Sequence, residues 1–157
     1  MLKKLFFAIG IISLLFSTTT FSQKNGFGVG IIIGEPTGIS VKKWLDNYSA
    51  IDGAVAWSFG KGSGFHLHAD YLAHSYSVFK VSRGTLPLYY GIGARIGNTN
   101  KNNGSSSAGL GIRVPVGVAY NFANDPLDIF FEIVPVLNLA PATDFGINAG
   151  LGIRYFF

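Results

Sequence analysis

No cysteine occurs in the 157 residues of this chain, which excludes disulfide scaffolds, thiol nucleophiles and cysteine-ligated zinc or iron–sulfur centres. Charge is also scarce, at 13% of the residues, against roughly a quarter in an ordinary soluble domain. The formal net charge is only +4 and includes Lys3 and Lys4 at the extreme N-terminus. The rest is scattered, so the basic stripe of a nucleic-acid binder is missing. Long hydrophobic runs are missing too. The run from Leu5 to Phe16 falls short of the roughly 20 residues a helix needs to cross a bilayer. No second stretch approaches that length, which excludes a helical membrane protein.

What is abundant is apolar and small. Hydrophobic residues make up 48% of the chain, with 21 glycines, 14 phenylalanines and 7 tyrosines, a composition opposite to that of disorder. Residues 1–22 read as a secretory signal peptide: Lys3 and Lys4, then the apolar run, then the small polar residues Ser17 to Thr20. Thr20 and Ser22 suit a cleavage pocket, which places the cut between Ser22 and Gln23. The expected mature chain, 23–157, is exported as one domain.

The mature chain alternates at period two. From Leu110 the even positions run Ile112, Val114, Val116, Val118, Tyr120, Phe122, while the odd ones are Gly111, Arg113, Pro115, Gly117, Ala119 and Asn121. The last segment sets Ile147, Ala149, Leu151, Ile153, Tyr155 and Phe157 against Asn148, Gly150, Gly152, Arg154 and Phe156. Successive side chains of a strand point to opposite faces, so each segment has a greasy face and a small or polar one. The pattern predicts eight strands, near 26–34, 38–45, 50–59, 64–75, 85–97, 107–121, 127–139 and 145–157. Turn chemistry separates them, including the Asn/Gly/Ser tract 98–106. The expected fold is all-β, an eight-stranded antiparallel up-and-down transmembrane β-barrel.

A soluble barrel of the lipocalin kind would turn its large apolar residues inward. Here that would leave glycine and charge as the outer surface. With the large residues outward, they form a lipid-facing band around a narrow interior of glycines and ions. Tyr120, Phe122, Tyr155 and Phe157 then form an aromatic girdle. Trp44 and Trp57 read as interfacial anchors or rim packing.

The final residues, Gly152-Ile153-Arg154-Tyr155-Phe156-Phe157, resemble the C-terminal insertion signal of bacterial outer-membrane barrels. The resemblance implies that Ile153, Tyr155 and Phe157 are read by the barrel-assembly machinery. Over 25–157 the chain resembles small eight-stranded outer-membrane proteins of the OmpA-barrel and OmpX type. Gly111–Gly117 and Asp128–Pro135 are similar to segments of short outer-membrane proteins without an assigned activity. The resemblance implies the bacterial outer membrane as location and its lipid as environment. With both chain ends in the periplasm, connectors 34–38, 60–64, 98–106 and 140–144 face outside the cell.

Inward positions hold Lys42, Asp52, Asp70, Arg95, Arg113, Glu132 and Arg154. Lys42 and Asp52 are symmetric about Asn47, and Glu132 and Arg154 about Thr143, so each couple is expected to pair across its hairpin. Arg95 and Arg113 then need Glu132, Asp70 or water. The interior is expected to be filled and salt-bridged, since eight strands leave room only for side chains. Pro115 and Pro135 conflict with continuous strands in a closed barrel, and a local bulge is the expected resolution.

The most chemical cluster is His66, His68 and Asp70, with His74 beyond. All share one parity, and two histidines at i and i+2 could hold zinc with a third ligand. A polar ladder is the plainer reading. A lipid esterase would need Ser58 beside His66 with Asp70 orienting the base, at a site that faces inward, away from outer-leaflet lipid. The expectation is therefore a monomeric, non-enzymatic barrel without cofactor and with a structural or membrane-integrity role. The alternative is a barrel enzyme or a binder of a metal or small ligand on the His66/His68/Asp70 face.

Overall fold

The computed structural model describes residues 26–58, 64–100 and 106–157. The signal-peptide assignment and the cut after Ser22 lie outside these residues, as do the centres of the Gly60–Gly64 turn and of the 98–106 tract. The described chain is all strand and turn: β1 (Phe27–Glu35), β2 (Thr37–Trp44), β3 (Ser49–Ser58), β4 (Gly64–Ser75), β5 (Leu88–Asn100), β6 (Ser106–Arg113), β7 (Val116–Asn121), β8 (Leu127–Ala140) and β9 (Asp144–Phe156). Every pairing is antiparallel. Each strand pairs with its sequence neighbour, and β1 pairs with β9 to close the ring. β6 and β7 both lie between β5 and β8. They are two halves of one strand, so the ring is an eight-stranded barrel.

The break between the halves is the work of proline. In an antiparallel pair, facing residues exchange two N–H···O bonds. Val114 N–H donates to the Pro135 carbonyl, and Gly91 N–H donates to the Pro115 carbonyl. Neither proline has an N–H to return the bond. Each proline thus removes half of one reciprocal pair, and the ladder resumes on either side. A register irregularity does occur, between Leu110 and Gly111, but the prolines themselves are met by this interruption and not by a bulge.

The faces follow the parity. Burial alternates residue by residue along β4 and β9. Ile31, Ile33, Ile92, Ile96, Ile112, Phe131, Ile147, Leu151 and Ile153 are all exposed on the outside, whereas Lys42, Asp70, Arg113, Glu132 and Arg154 are buried. The barrel is inside-out relative to a water-soluble one.

Several inward glycines have a common reason for their size. Gly28 faces Phe156, Gly117 faces Tyr89 and Gly152 faces Phe130 in register. A Cβ on any of the three glycines would collide with that partner's ring. Each glycine gives its space to an aromatic side chain of the next strand, and together these rings fill the interior.

Candidate functional site

The interior divides into two regions along the barrel axis. At the end carrying the chain termini, two buried arginines organise the space. The Arg154 guanidinium donates to Asp52 Oδ2 at 2.9 Å and to Ser40 Oγ at 2.9 Å, with Asp128 Oδ2 at 3.6 Å. Its Cζ lies 3.7 Å from the centroid of Phe130, the ring that Gly152 accommodates. Arg113 Nε donates to both oxygens of Asp70 at 3.1 Å, and its Nη2 stands 3.7 Å from Glu132 Oε1. Tyr89 OH donates to the other Glu132 oxygen at 3.0 Å.

These two centres resolve a clash the register imposes. Asp52 and Asp70 are directly opposite on β3 and β4, and like charges so placed destabilise a sheet. Each carboxylate is taken by a different arginine, one from β9 and one from β6. Removing one member of such a buried pair leaves an uncompensated charge, a cost of about 3–5 kcal/mol.

Lys42 is opposite Asp52 in register, as symmetry about Asn47 predicts, yet its ammonium bonds elsewhere. Lys42 Nζ donates to His74 Nε2 at 2.8 Å and sits 4.4 Å from the Trp44 ring centroid. An ammonium only donates, so Nε2 of His74 accepts and Nδ1 carries the proton toward the Tyr48 carbonyl, 3.2 Å away. Asp52 is already engaged by Arg154.

The Glu132–Arg154 pairing is corrected. Arg154 faces Asp128, and Glu132 faces Gly150. The hairpin closes with Asn138 opposite Asp144, so its centre is Pro141 and not Thr143, which moves every partner on β8 by four residues. Asp128, Tyr89 and Ser40 were not singled out from the sequence. Asp128 shares the inward parity of Phe130 and Glu132, so the period-two rule alone could have found it. Of the two readings for the tryptophans, Trp44 follows rim packing and not the interfacial anchor. It is only 4% exposed, inside the barrel against His74, whereas Trp57 is outward against Phe65.

The opposite end is sparser. His66 and His68 are buried side by side, ring centroids 5.8 Å apart. Their Nε2 and Nδ1 atoms, respectively, have no hydrogen-bond partner. Above them a cavity of about 210 Å³ opens at the mouth, lined by Ser58, His66, Arg95, Asn98, Asn138 and Asp144 among others. Arg95 Nη2 donates to Asn138 Oδ1 at 2.6 Å. Arg95 meets neither Asp70 nor Glu132 in an ion pair, since both are engaged by Arg113.

The esterase arrangement does not assemble. Ser58 Oγ and His66 Nδ1 lie 3.4 Å apart, but Asp70 is bound to Arg113 instead of orienting His66, so the third member is missing. The zinc cluster lacks Asp70 for the same reason, and no group of three candidate ligands gathers among the described residues. Ile153, Tyr155 and Phe157 all point outward at about 40% exposure, with Tyr155 and Phe157 ring centroids 5.0 Å apart.

Comparison with known proteins places this architecture. The chain is similar to the N-terminal β-barrel domain of Pseudomonas aeruginosa OprF, with 16% identity and a TM-score of 0.68, over 85% of this chain and 98% of that one. It is also similar to Neisserial surface protein A (NspA), with 14% identity and a TM-score of 0.50, over 84% and 94% of the two chains. At such identities the likeness concerns the fold. No curated protein matches the sequence. A family model described as "Protein of unknown function (DUF3996)" matches residues 18–156.

Proposed function

The chain belongs to the DUF3996 family, and on that premise we propose that it is an outer-membrane β-barrel whose lumen is closed by its own side chains. Its role on this reading is structural, in membrane integrity, and non-enzymatic. The leader 1–22 directs export, Ile153, Tyr155 and Phe157 present the terminal insertion signal to the assembly machinery, and the folded barrel is a monomer in lipid. The observation that carries the reading is the inverted distribution of polarity. Aliphatic and aromatic side chains cover the outside, while Lys42, Asp52, Asp70, Arg113, Asp128, Glu132 and Arg154 are buried within. A surface of this kind is stable against acyl chains and aggregates in water.

The similarity in fold to the OprF barrel domain and to NspA supports the same location. Closure of the lumen is supported by Arg113, Arg154, Tyr89 and Phe130, each under 2% exposed, which occupy the cross-section where a channel would run. Cell fractionation is expected to return the protein with the outer membrane, and the unheated folded form to migrate differently on a gel from the heated form. Planar-bilayer recordings are expected to stay silent. Recovery in the soluble periplasmic fraction would remove the membrane assignment, and sustained channel openings would remove the plug.

A second reading is favoured by the mouth cavity. The His66 ring at the cavity edge, with His68 stacked beneath it, is the place for a metal or a small polar ligand on this reading. It differs from the first in requiring an occupant.

A further inference from the structure

We propose that the connector between β4 and β5, residues 76–87, is a contact site for anionic phospholipid, lying in the membrane interface at the barrel end that carries the chain termini. The inference rests on the barrel residing in a membrane and adds which lipid chemistry it recognises. Connectors at this end are 45–48, 76–87 and 122–126. The first contains Asp46 and the last Asp125, whereas 76–87 has no acidic residue and carries Lys80 and Arg83. Both cations are exposed. Between and beside them Val78, Phe79 and Val81 are exposed at 50%, 42% and 39%, three large apolar side chains within four residues.

This segment is moored to the end of β7, at Asn121 on its inner face and at Tyr120 on its outer face. Thr85 and Asn121 exchange backbone bonds of 3.0 and 2.8 Å, and Asn121 Nδ2 donates to Thr85 Oγ1 at 3.0 Å. Tyr120 OH donates to the Arg83 carbonyl at 3.0 Å. Tyr120 shares the outward parity of Val116 and Val118, so the loop is tied to the side of β7 that carries the apolar band. Gly84 makes the bend between Arg83 and Thr85 at φ 69°, where a Cβ would run into the Asn121 carbonyl. At the other root, Tyr76 lies edge-on to Tyr48 with centroids 6.0 Å apart. The loop therefore continues the apolar surface past the strand ends, and its two cations stand at the border where phosphate groups lie. An apolar body with a cationic fringe matches an anionic interface.

The absence of cysteine permits a clean test. Ser82→Cys in the loop and Thr143→Cys at the opposite end, each labelled with an environment-sensitive fluorophore, are refolded into phosphatidylcholine vesicles with or without phosphatidylglycerol. Heat-dependent gel mobility checks insertion in every sample. The label at 82 is expected to emit as in an apolar setting, more strongly with phosphatidylglycerol and less at high salt, while the label at 143 stays independent of the anionic lipid. Each basic residue near an anionic surface is worth about fivefold. Lys80→Ser/Arg83→Ser should therefore lower the docked-to-free ratio about 25-fold and erase the preference. Aqueous emission from 82 in an inserted barrel would overturn the proposal. So would shielding that ignores both phosphatidylglycerol and the charge variant. A chain that fails to insert would overturn the membrane reading, and this one with it, an outcome the gel separates from the others.

Discussion

The two ends of the lumen contrast in how their charges are paired. Toward the termini, Arg154 and Arg113 each meet two carboxylates, and Ser40, Tyr89 and Phe130 complete their surroundings. Toward the mouth, two imidazoles stand side by side, His66 at the edge of a cavity, and Arg95 bonds to the amide of Asn138. The difference teaches where stability and where adaptability reside. A buried guanidinium between carboxylates cannot be altered cheaply, whereas an imidazole outside the ion-pair network can be removed at lower cost.

The largest effect should therefore come from the matched end. Arg154→Met leaves Asp52 and Asp128 buried without their cation, and urea unfolding of the refolded barrel is expected to show a loss of about 3–5 kcal/mol. A loss below about 1 kcal/mol, the range of exposed pairs, would mean that water reaches this network and that the two ends are alike. His66→Ala/His68→Ala at the mouth should cost much less, about 1–2 kcal/mol for two partly packed rings. Metal analysis of that variant beside the wild type addresses the second functional reading. Zinc retained by wild type and lost by the variant would turn the mouth into a metal site. No metal in either preparation would end that reading.

The smallest effect lies outside the lumen, in the turn joining β2 and β3. Asp46 Oδ1 accepts from Tyr48 N–H at 2.7 Å and Ser49 N–H at 2.8 Å. These bonds hold its carboxyl below the usual carboxylate range, the Tyr48 amide first. A carboxylate depressed on folding adds stability above its unfolded value, and that contribution fades as pH falls through the folded one. Wild type should accordingly lose slightly more stability than Asp46→Asn as the pH drops below about 4. Parallel acid limbs in the two proteins would show that the turn contributes nothing.

The faces of the strands were legible because period two is imposed by the backbone itself. Once Leu110, Ile112 and Val116 are outward, Arg113 has no choice but to be inward. Register was less legible, since it depends on where each hairpin turns. Asn47 marks its turn correctly, and Lys42 faces Asp52. The β8–β9 hairpin closes around Pro141, and counting from Thr143 gave Arg154 the wrong acid. Even correct register did not reveal the bond. Asp52 goes to an arginine more than a hundred positions away, and Lys42 to His74 two strands over. The connector after β4 was legible over 76–84, and only its far end differs. The next strand was expected from 85, but β5 starts at Leu88, one residue past Pro87, whose missing N–H cannot join the ladder.

The reach of Arg154 has a consequence for assembly. Its partners lie on β2, β3 and β8, and its contacts with the first two join segments separated by 114 and 102 positions. They cannot form until the last strand has met the first. A slip of four residues between β8 and β9 would still offer Arg154 an acid, Glu132, but would withdraw Phe130 from the hollow at Gly152. A slip of one would turn the guanidinium toward hydrocarbon. The arginine and the glycine two positions before it thus act as a lock and its gauge, admitting a single alignment of β9 against β8.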